Sequence, residues 1–185
     1  MGMGLLTKGI NEVIAVSGKN AAPVGIINRK DLSVVLFKGS HTFEKVAKNK
    51  LFAANFIYDS FLYAKTAFED LDDEFFEEQS FGGYTFYTLK GAEAWILFEA
   101  EEVRITNESC IYSLRPLKET VVSPVIHPVN RGFNSIIDAA VHATRYVHSG
   151  DENLKKLIEY DLSVAKKCGG ERELLAAEFL RNYIE

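Results

Sequence analysis

The chain has 185 residues, 47% of them hydrophobic and 25% charged, which excludes an intrinsically disordered or collagen-like protein. It carries 21 Lys and Arg residues against 26 Asp and Glu residues, and this acidic balance disfavours a nucleic-acid binder, which needs clustered excess cation. No apolar run approaches the roughly 18 residues of a membrane span and the N-terminus lacks the features of a signal peptide, so a cytoplasmic protein without membrane contact is expected.

The first two thirds of the sequence is predicted to be mainly β-strand, because its apolar runs are short and rich in β-branched residues. Residues 42–48 break this pattern and are predicted to form a short helix, since Thr42 can cap it and apolar residues follow at helical spacing. The predicted strands lie at 13–16, 24–27, 32–37, 51–57, 84–89, 94–103 and 105–114.

The segment 69–78 has seven acidic residues in ten and interrupts the strand pattern. Such a charge run is typical of a solvated loop or an exposed helix, with Phe75 and Phe76 folded back onto the protein. A surface for a partner protein is the alternative interpretation.

The last third of the sequence is predicted to be helical. Three prolines between residues 116 and 128 mark the change of architecture, because proline removes a backbone donor and fixes φ. Three amphipathic helices follow them, each bounded by glycine or by residues that can cap a helix. We therefore expect a β-rich domain over 1–124 and a three-helix C-terminal subdomain over 125–185.

The segment 38–42 joins a predicted strand to a predicted helix and has the residue types that bind phosphate. A phosphate requires backbone N–H groups at a helix start, hydroxyl donors, a nearby cation and a glycine that allows close approach. Lys38, Gly39, Ser40 and Thr42 supply these groups. The same residues also cap helices in any protein, so both interpretations stay open at this point.

Two other segments have features suited to a flat aromatic ligand. The small side chains of residues 20–25 leave strand backbone approachable, although they also suit a tight hairpin beneath bulky neighbours. Asn55 lies within the apolar strand 51–57, and its amide must find partners in the backbone or in a ligand, because an unsatisfied buried amide costs about 1–3 kcal/mol.

The order and spacing of these motifs resemble a known family. Flavin-reductase-like proteins with an FMN-binding split β-barrel share the pattern T-x-x-N-hydrophobic-x5-F-x-x-N. This sequence matches it at Thr42, Val46, Phe52 and Asn55, and has Lys45 in place of the usual Asn. Over nearly its whole length the chain resembles an archaeal branch, the domain-of-unknown-function family 447. The segments that carry this similarity are 20–25, 37–40, 55–61 and 140–145.

The resemblance implies an α+β, mainly β fold: an FMN-binding split β-barrel with a C-terminal helical extension, which holds FMN at the interface of a homodimer. It also implies a cofactor site with phosphate-binding residues and a strand that binds the ring. The phosphate-binding residues would be Lys38, Ser40, His41, Thr42 and Lys45, and the strand would be Asn20, Ala21, Ala22, Pro23 and Val24. Asn55 would sit close to the flavin or brace the phosphate-binding loop.

Other constellations have simpler interpretations. No histidine has metal-ligand spacing to another, and Cys110 and Cys168 are expected to be ordinary thiols in a reducing cytosol. Asp138, His142 and Arg145 form a polar triplet on a predicted helix, which could be catalytic or a surface or docking network. Trp95 is expected in the core.

By resemblance, the expected function is that of a flavin-dependent oxidoreductase, in which FMN performs the redox chemistry and no side chain must act as an acid or base. The expected partners are a nicotinamide donor or a small-molecule substrate. A non-enzymatic flavin-binding or interaction protein of the same fold is the alternative from another class. Haem and a deazaflavin are the alternative ligands.

Overall fold

The computed structural model describes residues 3–184, which form two compact units. The first unit contains residues up to 58 together with 71–125, and the second contains 59–70 and the residues from 126 onward. The predicted α+β class is confirmed, and helices and strands each make up 36% of the chain. The sequence-based boundary at 124 differs in one respect, because residues 59–70 include a helix of the second unit.

The strands of the first unit form a barrel and a hairpin. They are β1 (Gly9–Val16), β2 (Ala21–Asn28), β3 (Leu32–Phe37), β4 (Leu51–Phe56), β5 (Phe76–Phe81), β6 (Tyr84–Leu89), β7 (Ala94–Ile105) and β8 (Ser109–Val121). Six of them close an antiparallel barrel in the order β1-β2-β3-β8-β7-β4, while β5 and β6 pair only with each other. Hairpin-length connections join the pairs β1–β2, β2–β3, β5–β6 and β7–β8, while the pairs β3–β8, β4–β7 and β1–β4 join strands that are distant in sequence.

The barrel core consists of alternate side chains from its strands, because successive residues of a strand point to opposite faces. Val13, Ile26 and Tyr112 are fully buried there. The rings of Phe52 and Phe98 pack against each other with centroids 5.5 Å apart. The period-2 apolar pattern of the sequence therefore predicts the inner face of the barrel.

The barrel is incompletely paired along one edge. β2 pairs with β1 over its whole length but with β3 only through Ile26, Ile27 and Asn28. Among the described residues, neither 21–25 of β2 nor 35–37 of β3 pairs with the other strand. We call residues 21–25 the open edge, because one side of their backbone lacks a neighbouring strand.

The β5–β6 hairpin covers the outer face of β4 and β7. Phe86 of the hairpin packs edge-on against Trp95, with ring centroids 5.4 Å apart. The prediction of a loop or exposed helix over 69–78 is wrong from Phe76 onward, because β5 begins there after a short 3-10 turn. A two-residue turn at Gly82 and Gly83, both with positive φ, lets the acidic strand pair with β6.

The helices comprise α1 in the first unit and four others in the second. Their bounds are α1 (His41–Asn49), α2 (Ser60–Thr66), α3 (Arg131–Ser149), α4 (Glu152–Cys168) and α5 (Glu171–Arg181). The three predicted C-terminal helices are confirmed, and α2 is an addition that the sequence analysis missed. No helix within residues 3–184 has the length and apolar character needed to cross a membrane.

Side-chain hydrogen bonds connect α2 to α5 within the second unit. The buried Ser60 hydroxyl donates to Glu173 Oε1 over 2.8 Å, and Glu173 Oε2 accepts from the N–H of Gly170 at the start of α5. Asp59 caps α2 through the N–H of Leu62 and forms an ion pair with Arg172. These contacts, 113 residues apart in sequence, explain why α2 belongs to the helical unit.

Candidate functional site

The start of α1 and the open edge are joined by a buried hydrogen bond. Asn20, the residue before β2, donates from Nδ2 to Thr42 Oγ1 over 2.9 Å, and both side chains are buried. Thr42 is the second residue of α1. Two segments that the sequence predicted separately, 20–25 and 38–42, are therefore brought together, and the orientation of the Thr42 hydroxyl is fixed from the β2 side.

Ser40 is the N-cap of α1. Its Oγ accepts from the N–H of Phe43 over 3.2 Å and donates to the carbonyl of Phe37 over 2.8 Å. The preceding Gly39 has φ +83°, which turns the chain from β3 into the helix. The hydroxyl of Ser40 is thus used by the protein backbone, so the capping role that the sequence left open is observed.

Three basic or titratable side chains surround this helix start. Lys38, His41 and Lys45 are exposed to solvent, while the backbone N–H of Lys38 donates to the carbonyl of Glu108 over 2.8 Å. Glu44, also exposed, lies in the first turn and opposes part of the positive charge of Lys38 and Lys45. The backbone of Lys38 thus anchors the loop, while the two lysine side chains are exposed.

The open edge is lined by small or partly buried residues. Ala21 is buried, whereas Ala22, Pro23 and Val24 are half-buried. At Gly25, a Cβ atom would lie 2.7 Å from the Ile10 side chain, so any larger residue here would force that side chain to move. A planar ligand could approach this backbone without displacing a strand, and the ligand role of 20–25 stays a prediction.

Asn55 is committed to the protein backbone. Its Nδ2 donates to the carbonyls of Ile14 and Ala53, both over 3.0 Å, and its Oδ1 accepts from the N–H of Leu89 over 2.9 Å. The side chain is fully buried. Of the two roles considered for this amide, these contacts fit a brace, but one that fastens the β5–β6 hairpin to β1 and β4 and makes no hydrogen bond to the segment 38–42.

Two titratable side chains inside the barrel have a raised pKa. Burial raises the pKa of Tyr112 to about 12, with a smaller contribution from the Cys110 thiol. Burial also raises the pKa of Cys110. Among the described residues, the Tyr112 hydroxyl is the buried side-chain group that lacks a hydrogen-bond partner. Both groups are neutral at physiological pH, so neither is an activated nucleophile.

The polar triplet predicted on α3 has a different arrangement. Nδ1 of His142 lies 3.2 Å from Oδ2 of Asp161 on α4, and no hydrogen bond joins it to Asp138 among residues 3–184. Burial raises the pKa of Asp161, and the contact with His142 opposes this shift. The pair links two helices of the second unit, and the described residues contain no cluster of three potential metal ligands.

Comparisons with known proteins cover nearly the whole chain. Residues 11–123 match the family model of the N-terminal domain of DUF447, a protein of unknown function, and residues 130–182 match the other DUF447 model. The uncharacterized protein MJ1453 of Methanocaldococcus jannaschii is 28% identical over 199 residues, which is 94% of this chain and 97% of that protein.

One solved structure is similar over the full length. It is the crystal structure of the FMN-bound DUF447 protein MM1853 from Methanosarcina mazei, which is 40% identical, covers 96% of each chain and has a TM-score of 0.88. The predicted fold, a split barrel with a C-terminal helical extension, is therefore confirmed.

Proposed function

The chain belongs to the DUF447 family, and from this membership we propose that it binds FMN noncovalently and acts as a flavin-dependent oxidoreductase. The observation that carries the proposal is the similarity to an FMN-bound protein, at 40% identity over 96% of both chains. The contact between Asn20 and Thr42 supports it, because this contact brings both predicted halves of the cofactor site together.

The helix start suits the phosphate of FMN. First-turn N–H groups of a helix have no carbonyl acceptor within that helix, and the helix dipole favours an anion there. The Thr42 hydroxyl, which accepts from Asn20, keeps its own hydrogen to donate. Lys38 and Lys45 would add positive charge from solvent, and Lys45 would serve as a point charge where related proteins have an amide.

The open edge suits the isoalloxazine ring. Its unpaired backbone would hydrogen-bond the polar atoms of the ring, while Ala22, Pro23 and Val24 would contact the planar surface. Gly25 would keep the strand close to β1. These residues would bind and orient the cofactor and exclude water from one side of it.

Bound FMN would supply hydride or electron transfer, so the protein residues need only place and polarise it. This division of roles agrees with the absence of an activated nucleophile among the titratable groups with altered pKa in the described chain. A nicotinamide donor and a small-molecule substrate are the reactants that this chemistry requires.

We also propose a homodimer with the flavin at its interface. Phe37 and Ile105 lie beside the first residues of β8, opposite Ser109 and Cys110, and both side chains are exposed. Phe37, 64% exposed, directly precedes the segment 38–42. Light scattering at micromolar concentration should give twice the 20.7 kDa chain mass, and a monomeric mass would overturn this part of the proposal.

The first experiment is an absorbance spectrum of the purified protein, followed by mass analysis of any cofactor released on denaturation. FMN in the supernatant, or stoichiometric uptake of added FMN, is the expected result. A colourless protein that takes up no FMN would overturn the binding proposal, and a Soret band would identify haem instead.

Oxidoreductase activity is tested separately, by following NADH and NADPH oxidation by the FMN-loaded protein with free flavin or another acceptor. Acceleration over free FMN is expected. If the protein binds FMN but neither nicotinamide reduces it, and a low-potential reductant also leaves it oxidised, the redox part of the proposal fails and a flavin-binding protein without this activity remains.

A further inference from the structure

The loop between β1 and β2, residues 17–20, contacts both ends of helix α1. Its last residue, Asn20, holds the Thr42 hydroxyl at the start of the helix. Its first residue, Ser17, contacts the other end, because Ser17 Oγ accepts a hydrogen bond from Nδ2 of Asn49 over 3.2 Å. Asn49 is the last residue of α1. One short loop therefore anchors the whole length of the helix whose start is assigned to the phosphate.

The hydroxyl of Ser17 is buried and joins three parts of the first unit. The residue is 2% exposed, and its Oγ donates to the carbonyl of Leu51, the first residue of β4, over 2.8 Å. The backbone N–H of Ser17 donates to the carbonyl of Asn20 over 3.1 Å and closes the loop. The loop therefore fixes the Ser17 hydroxyl, which in turn holds the connection between α1 and β4.

The contacts of α1 with the rest of the first unit lie along one face of the helix. Thr42, Val46 and Asn49 are four and three residues apart, a spacing that places them on the same side. Thr42 and Val46 are buried, whereas Asn49 is exposed and contacts the protein through its amide. A nine-residue helix is about 14 Å long, so a contact at its far end limits how far its axis can tilt.

We propose that Ser17 is a positioning residue for the phosphate of FMN and acts through α1. This inference rests on the proposed function, since it takes the start of α1 as the phosphate site. The N–H groups of the first turn point along the helix axis, so the direction of that axis sets where they meet the phosphate. By holding the far end of α1, the Ser17 hydroxyl keeps these donors aimed at one place.

The ring-binding half of the site does not depend on the Ser17 hydroxyl. β2 pairs with β1 from Ala21 to Asn28, and this backbone pairing holds the open edge whatever side chain is at position 17. The hydrogen bond that closes the loop also involves only backbone atoms of Ser17 and Asn20. Loss of the hydroxyl should therefore affect the phosphate donors and leave the contacts with the isoalloxazine ring unchanged.

The test compares FMN with riboflavin, which has the same ring but no phosphate, in titrations followed by flavin fluorescence quenching. Ser17→Ala should weaken FMN binding about threefold and leave riboflavin binding unchanged, so the preference for FMN falls by the same factor. An unchanged FMN affinity would overturn the proposal. Equal weakening of both flavins would also overturn it, because a merely structural role of Ser17 does not distinguish the two ligands.

A second variant removes the same contact from the helix side. Asn49→Ala changes an exposed residue, so it should fold, and it should lower the preference for FMN by a smaller factor because Ser17 keeps its bond to Leu51. Asn134→Ala, an exposed position on α3, is the matched control and should change neither affinity.

Circular dichroism checks that each variant folds. A folded Asn49→Ala protein with the wild-type preference for FMN would overturn the proposal. A wild-type protein that binds no FMN would instead overturn the proposed function, and this inference with it, so the two failures are distinguished by which protein shows them.

Discussion

One buried asparagine lies on the side of the barrel that the β5–β6 hairpin covers, another directly precedes the open edge, and the two differ in their hydrogen-bond partners. On the covered side, Asn55 makes three hydrogen bonds, all to backbone groups of three different strands. At the open edge, Asn20 holds one side chain, the hydroxyl of Thr42. An amide saturated by backbone is structural, whereas an amide that orients a hydroxyl at a helix start positions a potential ligand contact.

The same contrast extends to the surroundings of the two amides. Asn55 accepts a hydrogen bond from Leu89 of the β5–β6 hairpin, and Phe86 of the hairpin packs against Trp95, the residue of β7 that pairs with Asn55. Within residues 3–184, β2 has no second neighbouring strand beside Ala21, the residue that follows Asn20. We therefore expect substitutions on the covered side to change stability and substitutions at the open edge to change FMN affinity.

Replacing Asn55 by Ala should have the largest effect on stability. The substitution leaves the carbonyl of Ile14 and the N–H of Leu89 without these partners in a buried site, and each unsatisfied group costs about 1–3 kcal/mol. We expect a loss of about 3 kcal/mol or more in the free energy of unfolding, measured by urea denaturation.

Asn107→Ala, a substitution of an exposed asparagine in the loop between β7 and β8, is the control for Asn55→Ala. It should stay within about 0.5 kcal/mol of the wild type. Should Asn55→Ala cost less than about 1 kcal/mol, the three hydrogen bonds would not fasten the hairpin and the structural role assigned to this amide would be wrong.

Asn20→Ala should lower the free energy of unfolding less than Asn55→Ala does, and it should lower the affinity for FMN more. It removes a single buried hydrogen bond, about 1 kcal/mol, and releases the Thr42 hydroxyl from its fixed orientation. The expected result is a roughly threefold weaker binding of FMN, measured by flavin fluorescence quenching. An unchanged affinity together with a large stability loss would place Asn20 in the structural class with Asn55.

Thr42→Val tests the hydroxyl itself at nearly constant volume. Losing a neutral hydrogen bond of about 0.5–1.5 kcal/mol, or a stronger one to a charged phosphate, should weaken FMN binding about threefold or more. Because Asn20 acts through Thr42, the double variant should bind FMN no more weakly than Thr42→Val alone. Additive losses would mean that Asn20 and Thr42 act on the cofactor independently.

The barrel and the C-terminal helices could be predicted from sequence because their signals are local. Alternation of apolar residues predicts the inner faces of the strands, and residues such as Asn130 and Gly150, which cap α3, fix its ends. The strand β5 was missed because its charges suggested a loop, although the Gly82-Gly83 pair is a hairpin signal. The prediction followed the acidic residues of 69–78 and overlooked the turn at Gly82 and Gly83.

The contacts of the candidate site could be predicted only in part. The residue types at 20–25 and 38–42 indicated both halves, but their union through Asn20 and Thr42 spans 22 residues and depends on the tertiary fold. Asn55 was recognised as an amide that needs partners, yet Leu89, one of those partners, belongs to a hairpin 34 residues away. Pairings of this kind have no local signature in a single sequence.

Tyr112, unlike Asn20 and Asn55, is a buried polar residue whose hydroxyl lacks a hydrogen-bond partner among the described residues. Of the substitutions considered, Tyr112→Phe should have the smallest effect on stability. Removing its hydroxyl by Tyr112→Phe breaks no hydrogen bond within the described chain, so the free energy of unfolding should change by less than about 1 kcal/mol near neutral pH, in the stabilising direction.

The pH dependence of this variant sharpens the test. Burial raises the Tyr112 pKa from 10.0 to about 12, so the folded protein retains this proton more tightly than the unfolded chain. The resulting stabilisation is fully present below pH 10 and is lost as the pH rises through 12. Urea midpoints of wild type and Tyr112→Phe should therefore separate further, in favour of the variant, between about pH 8 and pH 11. A constant difference would mean that the hydroxyl reaches solvent or a partner in solution, and the barrel interior would then be less closed than the covered side around Asn55.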